Sequence, residues 1–159
     1  MDRLVIVVVT LGPGFLVAGC GANDSAPFVK RADGICADFY TKAYSLPPPL
    51  GLRQLKAYPE KKQALLEGEL SGLRALRPPV EQRDRYTGYV ADLGEFDRQY
   101  SLIIDDLKSG PSSTLRLSMA KRLGRRLSDL QATVERDARD LRLAECAKDP
   151  YSATHYANN

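Results

Sequence analysis

The sequence has no tryptophan and a single histidine, His155, in a polar stretch close to the last residue. One imidazole with no acid or nucleophile beside it supplies neither a catalytic pair nor a metal cluster. Structural zinc asks for several Cys and His at short spacings, and haem attachment for Cys-x-x-Cys-His; neither pattern occurs. There is no glycine-rich phosphate loop. There is also no Glu-x-x-His pair of the kind that builds a di-iron centre inside a helical bundle. Apolar runs of about 20 residues, the length that spans a bilayer, are missing. One-sided charge is missing too: 23 basic and 20 acidic residues leave a net +3. The two signs are interspersed, which argues against a nucleic-acid binder with a concentrated basic face or tail. These absences together predict a protein with no cofactor, no metal and no catalytic site.

What is present begins at the N-terminus. Leu4 to Leu11 is nearly all apolar, Gly12-Pro13-Gly14 interrupts it, and Phe15 to Gly19 lead into Cys20. The run is too short for a membrane span but fits the apolar core of a secretion signal. Its charged start is weak, because Asp2 offsets Arg3. A retained membrane helix is disfavoured by the Gly-Pro-Gly break.

Val17-Ala18-Gly19-Cys20 resembles the lipobox of bacterial lipoproteins. That resemblance implies cleavage before Cys20 and alkylation of its thiol by a diacylglycerol. The competing reading is an ordinary cleaved signal with an incidental cysteine. Buried acyl methylenes contribute about 0.8 kcal/mol each, so two or three chains would anchor the protein nearly permanently. The domain reading that follows is a signal peptide over 1–19, a lipidated N-terminus and tether over 20–25, a four-helix bundle over 26–148 and a flexible tail over 149–159. The expected location is the cell membrane, lipid-anchored and facing outside the cytoplasm.

The mature part reads as four amphipathic helices. In the first, Ser25 and Pro27 mark the start, and Phe28, Ala32, Ile35, Cys36, Phe39, Ala43 and Leu46 recur at spacings of three and four. Pro47-Pro48-Pro49 stops it. The second runs from about Leu50 to Leu76 with Leu52, Leu55, Leu66, Leu70, Leu73 and Leu76 as its stripe, and Pro59 is expected to kink or split it. The third runs from about Pro79 to Lys108 with a seam of Tyr86, Tyr89, Leu93, Phe96, Tyr100, Ile103 and Leu107. After Ser109-Gly110-Pro111 the fourth extends to about Leu143, with Ala120, Leu123, Leu127, Leu130, Val134, Ala138 and Leu141 inward. Short proline-rich joints between four such helices predict an all-α, up-down-up-down bundle.

Two cysteines remain after Cys20. In an oxidising compartment an even number reads as one disulfide, with two buried free thiols as the alternative. Cys36 lies on the inward stripe of the first helix and Cys146 just beyond the fourth. An up-down bundle would bring those two ends together. Ala32-Asp33-Gly34-Ile35-Cys36-Ala37, a following Leu-Pro-Pro, Leu76-Arg77-Pro78-Pro79 and the late Cys146 resemble a group of secreted or lipid-anchored bacterial helical proteins. The resemblance implies the fold and a Cys36–Cys146 pairing, and it implies no activity.

Candidate contacts are few. Tyr86, Tyr89 and Tyr100 place three hydroxyls on a core seam, where each needs a partner or water. They either reach the edge of the packing or line a small polar cavity between helices. Lys121, Arg122, Arg125, Arg136 and Arg139 lie opposite the leucines of the fourth helix, and Asp129 and Asp140 interrupt them. They form either a solvated face or a patch for anionic headgroups or an acidic partner. Glu67 and Glu69, and Asp105 and Asp106, read as solvated surface. The functional expectation is a non-enzymatic, membrane-tethered binding or interaction module with a partner in the cell envelope. The alternative is a carrier or sensor for a small ligand, which would need a cavity above about 300 Å³ beside the tyrosines.

Overall fold

The computed structural model describes residues 25–47, 52–108 and 114–148, with the side chains of all of these except 52–56, 107, 114–121 and 123. The expected signal segment, Cys20 with its tether, and the tail from 149 lie outside the described residues. The described chain is helical, with no strand: α1 (Ser25–Tyr44), α2 (Leu52–Arg74), a 3-10 turn (Val80–Gln82), α3 (Arg83–Lys108) and α4 (Thr114–Asp140). Consecutive helices pack on one another, α1 on α2, α2 on α3 and α3 on α4. No helix among the described residues is long and apolar enough to cross a membrane.

In α1, Pro27 sits in the first turn, where a missing N–H forfeits no helical bond. Phe28, Ala32, Cys36, Phe39, Tyr40 and Ala43 are buried; of the expected stripe Ile35 is only partly covered, Leu46 lies past the helix end and is partly covered, and Tyr40 is added. At the other end the Ser45 amide donates to the Thr41 carbonyl at 3.2 Å and the Ser45 hydroxyl to the Lys42 carbonyl at 2.8 Å. Two carbonyls that the helix end leaves open are thereby filled.

Helix α2 runs unbroken through Pro59, so the proline does not split it. Pro59 lacks only its own N–H, and the backbone continues helically on both sides. Its buried line is Lys62, Leu66, Glu69, Leu70 and Leu73, and the Lys62 ammonium lies 5.4 Å from the Tyr58 ring centre. Leu73 is fully buried. Truncating such a leucine to alanine costs roughly 2–5 kcal/mol.

The third helix starts later than the expected Pro79. Pro79 holds an extended backbone (φ −54°, ψ 151°), the 3-10 turn follows, and the α-helix begins at Arg83. The seam of α3 also differs from the expected one. Tyr86, Tyr89, Leu93 and Phe96 are buried, but Tyr100 and Ile103 are only partly so, while Gln99 and Ile104 are fully covered. The cause is that α3 packs on both α2 and α4, so its covered surface is wider than one stripe. The Gln99 amide is satisfied by donating to Glu95 Oε1 at 2.8 Å.

Helix α4 ends at Asp140 instead of Leu143. The Leu143 amide donates to the Ala138 carbonyl at 2.8 Å and the Arg142 amide to the Arg139 carbonyl at 2.9 Å. Arg142 takes a positive φ of 62°. This pair of bonds is the Schellman ending, in which the left-handed position usually carries glycine. It turns the chain so that Leu141 and Leu143 are buried and Cys146 reaches α1. Cys36 and Cys146 form a disulfide, with Cα atoms 5.0 Å apart. Two hydrogen bonds reinforce the same return. The Glu145 amide donates to Asp33 Oδ1 at 2.9 Å, and the Tyr40 hydroxyl donates to the Lys148 carbonyl.

Candidate functional site

The three tyrosines do not share one cavity. Tyr86 lies edge-on to Phe28 with centroids 4.9 Å apart, and its hydroxyl donates to the Leu73 carbonyl at 2.7 Å. Tyr89 is buried beside it, centroids 6.1 Å apart. Burial drives both hydroxyls above the usual tyrosine range, with the negative charges of Glu69 and Asp33 adding to the effect at Tyr89. Tyr100 is half-buried and stacks on Phe96, centroids 6.4 Å apart. It lies eleven residues beyond Tyr89, about 16 Å along the helix. The space where Phe39, Leu66, Leu93, Phe96 and Val134 meet amounts to about 30 Å³, enough for about one water. A recess of about 320 Å³ does touch Tyr86, but its rim is Arg74, Arg77 and Arg83, all exposed, at the corner where α2 passes to α3.

The basic residues of α4 are partly committed. Arg126 meets Glu95 Oε1 at 3.1 Å and Arg139 meets Glu135 at 3.6 Å. Glu95 also accepts from Arg98 and Gln99, and these donors hold its carboxyl down to about 2. Arg122 and Arg125 are exposed.

A larger concavity lies elsewhere. A groove of about 590 Å³ runs between α1 and α2, a volume in the range of small-molecule sites. Its floor is glycine, with Gly34 from α1 and Gly68 and Gly72 from α2. At Gly34 and Gly68 no described protein atom outside the local backbone lies within 4 Å of where a Cβ would stand, while at Gly72 the Ile35 side chain closes in to 3.2 Å. Ile35, Phe39 and Leu65 give apolar walls, and Lys30, Arg31 and Lys42 line it from α1. Lys42 is held by Asp38 at 2.5 Å. No described acid pairs with Lys30 or Arg31.

Glu69 closes the inner wall of this groove and corrects the reading of it as solvated surface. It is 8% exposed. No described residue forms a hydrogen bond or ion pair with its carboxyl, and burial alone pushes it up to about 8. That shift favours the protonated form at pH 7, which has one O–H to donate. A sequence signal for this existed. Lys62, Leu66, Glu69 and Leu73 follow one another at spacings of four, three and four, so Glu69 stands on the inward stripe between two leucines. Among the described residues no group of three or more His, Cys, Asp or Glu is arranged to hold a metal ion. No protein-family model, no curated protein and no solved structure matches this chain.

Proposed function

We propose that the protein is a lipid-anchored binding module of the bacterial cell envelope, tethered through Cys20 outside the cytoplasm, and that it acts by holding a partner or ligand without chemical turnover. The anchor rests on the Val17-Ala18-Gly19-Cys20 pattern behind an apolar leader. A disulfide joining α1 to the segment after α4 agrees with an oxidising compartment. The observation that carries the binding reading is the α1–α2 groove: about 590 Å³, glycine-floored, with a buried carboxyl at its wall that no described residue satisfies. Glu69 is 8% exposed and lines the groove, so a bound molecule can meet its carboxyl. A ligand enclosed between all four helices has less support, because the space there is about 30 Å³.

A photo-crosslinking residue placed at position 42, on the groove, and in a separate variant at 132, on the exposed face of α4, tests this in intact cells. Adducts are expected from 42 and absent from 132. Equal adduct yields from both positions, or none from 42, would remove the groove as the binding site.

A further inference from the structure

The groove's chemistry narrows what it holds, and the argument here rests on the binding reading above. Three features have to be met together. Exposed Gly34 and Gly68 with the walls of Ile35, Phe39 and Leu65 offer an open groove with apolar sides. Lys30 and Arg31 supply two cations on the α1 side that no described acid neutralises. Glu69 supplies a buried donor that no described residue accepts.

A ligand cation is disfavoured, because Lys30, Arg31 and Lys42 line the same groove. A purely apolar ligand would leave both cations and the Glu69 carboxyl unused. A short anion would use the cations but not the apolar length.

We propose that the α1–α2 groove binds an elongated amphiphile with an anionic head: the head sits on Lys30 and Arg31, the apolar body lies over Gly34 and Gly68, and an ester or amide carbonyl accepts from Glu69. A membrane acyl lipid and a free N-acyl or O-acyl acid share this chemistry. The neutral form of Glu69 matters, since an ionised carboxylate would offer no donor and would repel the anionic ligand. The other charged and titratable groups around it are Lys30, Arg31, Asp38 and Lys42 from α1, Asp33 from α1 on the Tyr89 side, and Tyr89 from α3. Glu135 of α4 and Lys148 of the closing segment line the small space on its other side.

The test uses the full chain as cells produce it, held with phosphatidylcholine vesicles, and equilibrium dialysis of radiolabelled N-dodecanoylglycine against a vesicle-only blank. One saturable site per chain is expected above the blank. Gly68→Leu should abolish it by filling the groove, and no described atom outside the local backbone lies within 4 Å of that position to oppose the change. A thermal melt checks that this variant stays folded. Should it not, Gly34→Leu serves the same purpose from the other side. Glu69→Gln keeps a neutral donor and should bind within about three-fold of wild type, whereas Glu69→Leu should bind at least about ten-fold more weakly. Lys30→Ala with Arg31→Ala should cost about ten-fold or more for this probe, as expected for hydrogen bonds to a charged group, and little for uncharged N-dodecylacetamide. Displacement of the probe by phosphatidylglycerol vesicles would make a membrane lipid the source, and its persistence a free acyl acid. Absence of a saturable component, or equal binding by a folded Gly68→Leu, overturns the ligand class. If position 42 still crosslinks in cells, the binding module stands without it.

Discussion

Replacing Glu69 by glutamine should make the protein more stable at neutral pH and nearly unchanged in acid. The carboxyl ordinarily ionises near 4.5, and in the folded chain burial raises this to about 8. Below 4.5 it is protonated in both the folded and the unfolded state, so the stability of the neutral buried form is fully present. Between 4.5 and 8 the unfolded chain loses the proton while the folded chain keeps it, and stability falls as pH rises. Each pH step in that window costs about 1.4 kcal/mol, which amounts to roughly 3 kcal/mol by pH 7 and approaches 5 kcal/mol above pH 8. Glutamine fills nearly the same volume, keeps a donor and an acceptor, and does not titrate. The substituted chain should match wild type within about 1 kcal/mol at pH 4.5 and exceed it by roughly 3 kcal/mol at pH 7. Urea denaturation followed by circular dichroism at half-unit pH steps measures this. With a denaturant slope of about 1–3 kcal/mol per molar, the midpoint difference at pH 7 should be about 1 M or more. Asp97 and Asp137 are also raised by burial, but both are present in both chains and cancel in the difference. Parallel pH profiles for the two proteins would show that Glu69 is hydrated or paired in solution and would refute the burial of its carboxyl.

Other perturbations reach the rest of the structure. Arg142→Gly should raise stability by about 1 kcal/mol in the same denaturation assay, because a left-handed φ costs a side-chain-bearing residue about 1–2 kcal/mol and Arg142 holds φ 62°; a loss of stability would mean that the Arg142 side chain makes contacts outweighing that strain. Reducing Cys36–Cys146, which closes 110 residues, should lower the melting temperature by more than about 5 °C, since loop-closure entropy alone predicts nearly 5 kcal/mol; an unchanged melt would show that the bridge constrains nothing. Cys20→Ser should move the protein from the membrane to the soluble fraction or leave an uncleaved precursor on a denaturing gel, and wild-type fractionation and migration would remove the lipid anchor from the proposal.

The helix count and most of the core were legible because two local rules carried them. Apolar residues at spacings of three and four marked the buried faces from Phe28 to Ala43 and from Tyr86 to Phe96. Proline clusters marked the joints, since Pro47 follows α1 and Pro78-Pro79 precede the 3-10 turn that leads into α3. The cysteine pairing, expected once Cys20 is set aside for lipidation and implied by the family resemblance, is the one the structure forms. Elements failed where the outcome depended on three helices at once. The buried edge of α3 shifted to Gln99 and Ile104 because a helix packed between two neighbours covers more than the stripe that periodicity reports. The ending of α4 was hidden because its left-handed position holds Arg142, with no glycine to announce it.

The groove was illegible for a related reason, and Glu69 shows why. Taken as a segment, Glu67-Gly68-Glu69 looks like solvated helix surface: two acids on either side of a helix-weakening glycine. Taken by register, Glu69 falls between Leu66 and Leu73 on the line that faces the core, and hydrophobicity scoring counts that position against the helix instead of noticing it. A polar residue on a buried stripe is informative because burial without a partner is costly, so the sequence tends to retain it only where something offsets the cost. Here no described residue does, while the glycines beside it leave space where side chains would otherwise fill the α1–α2 contact. Each feature alone has an ordinary explanation: an acid can be tolerated at reduced stability, and exposed glycines occur at Gly88 and Gly124 as well. What distinguishes the α1–α2 face is that the open glycine positions, two cations that no described acid pairs and the Glu69 carboxyl occur within one concavity of about 590 Å³. Their coincidence arises from the packing of α1 on α2, which no pattern within either helix alone could display.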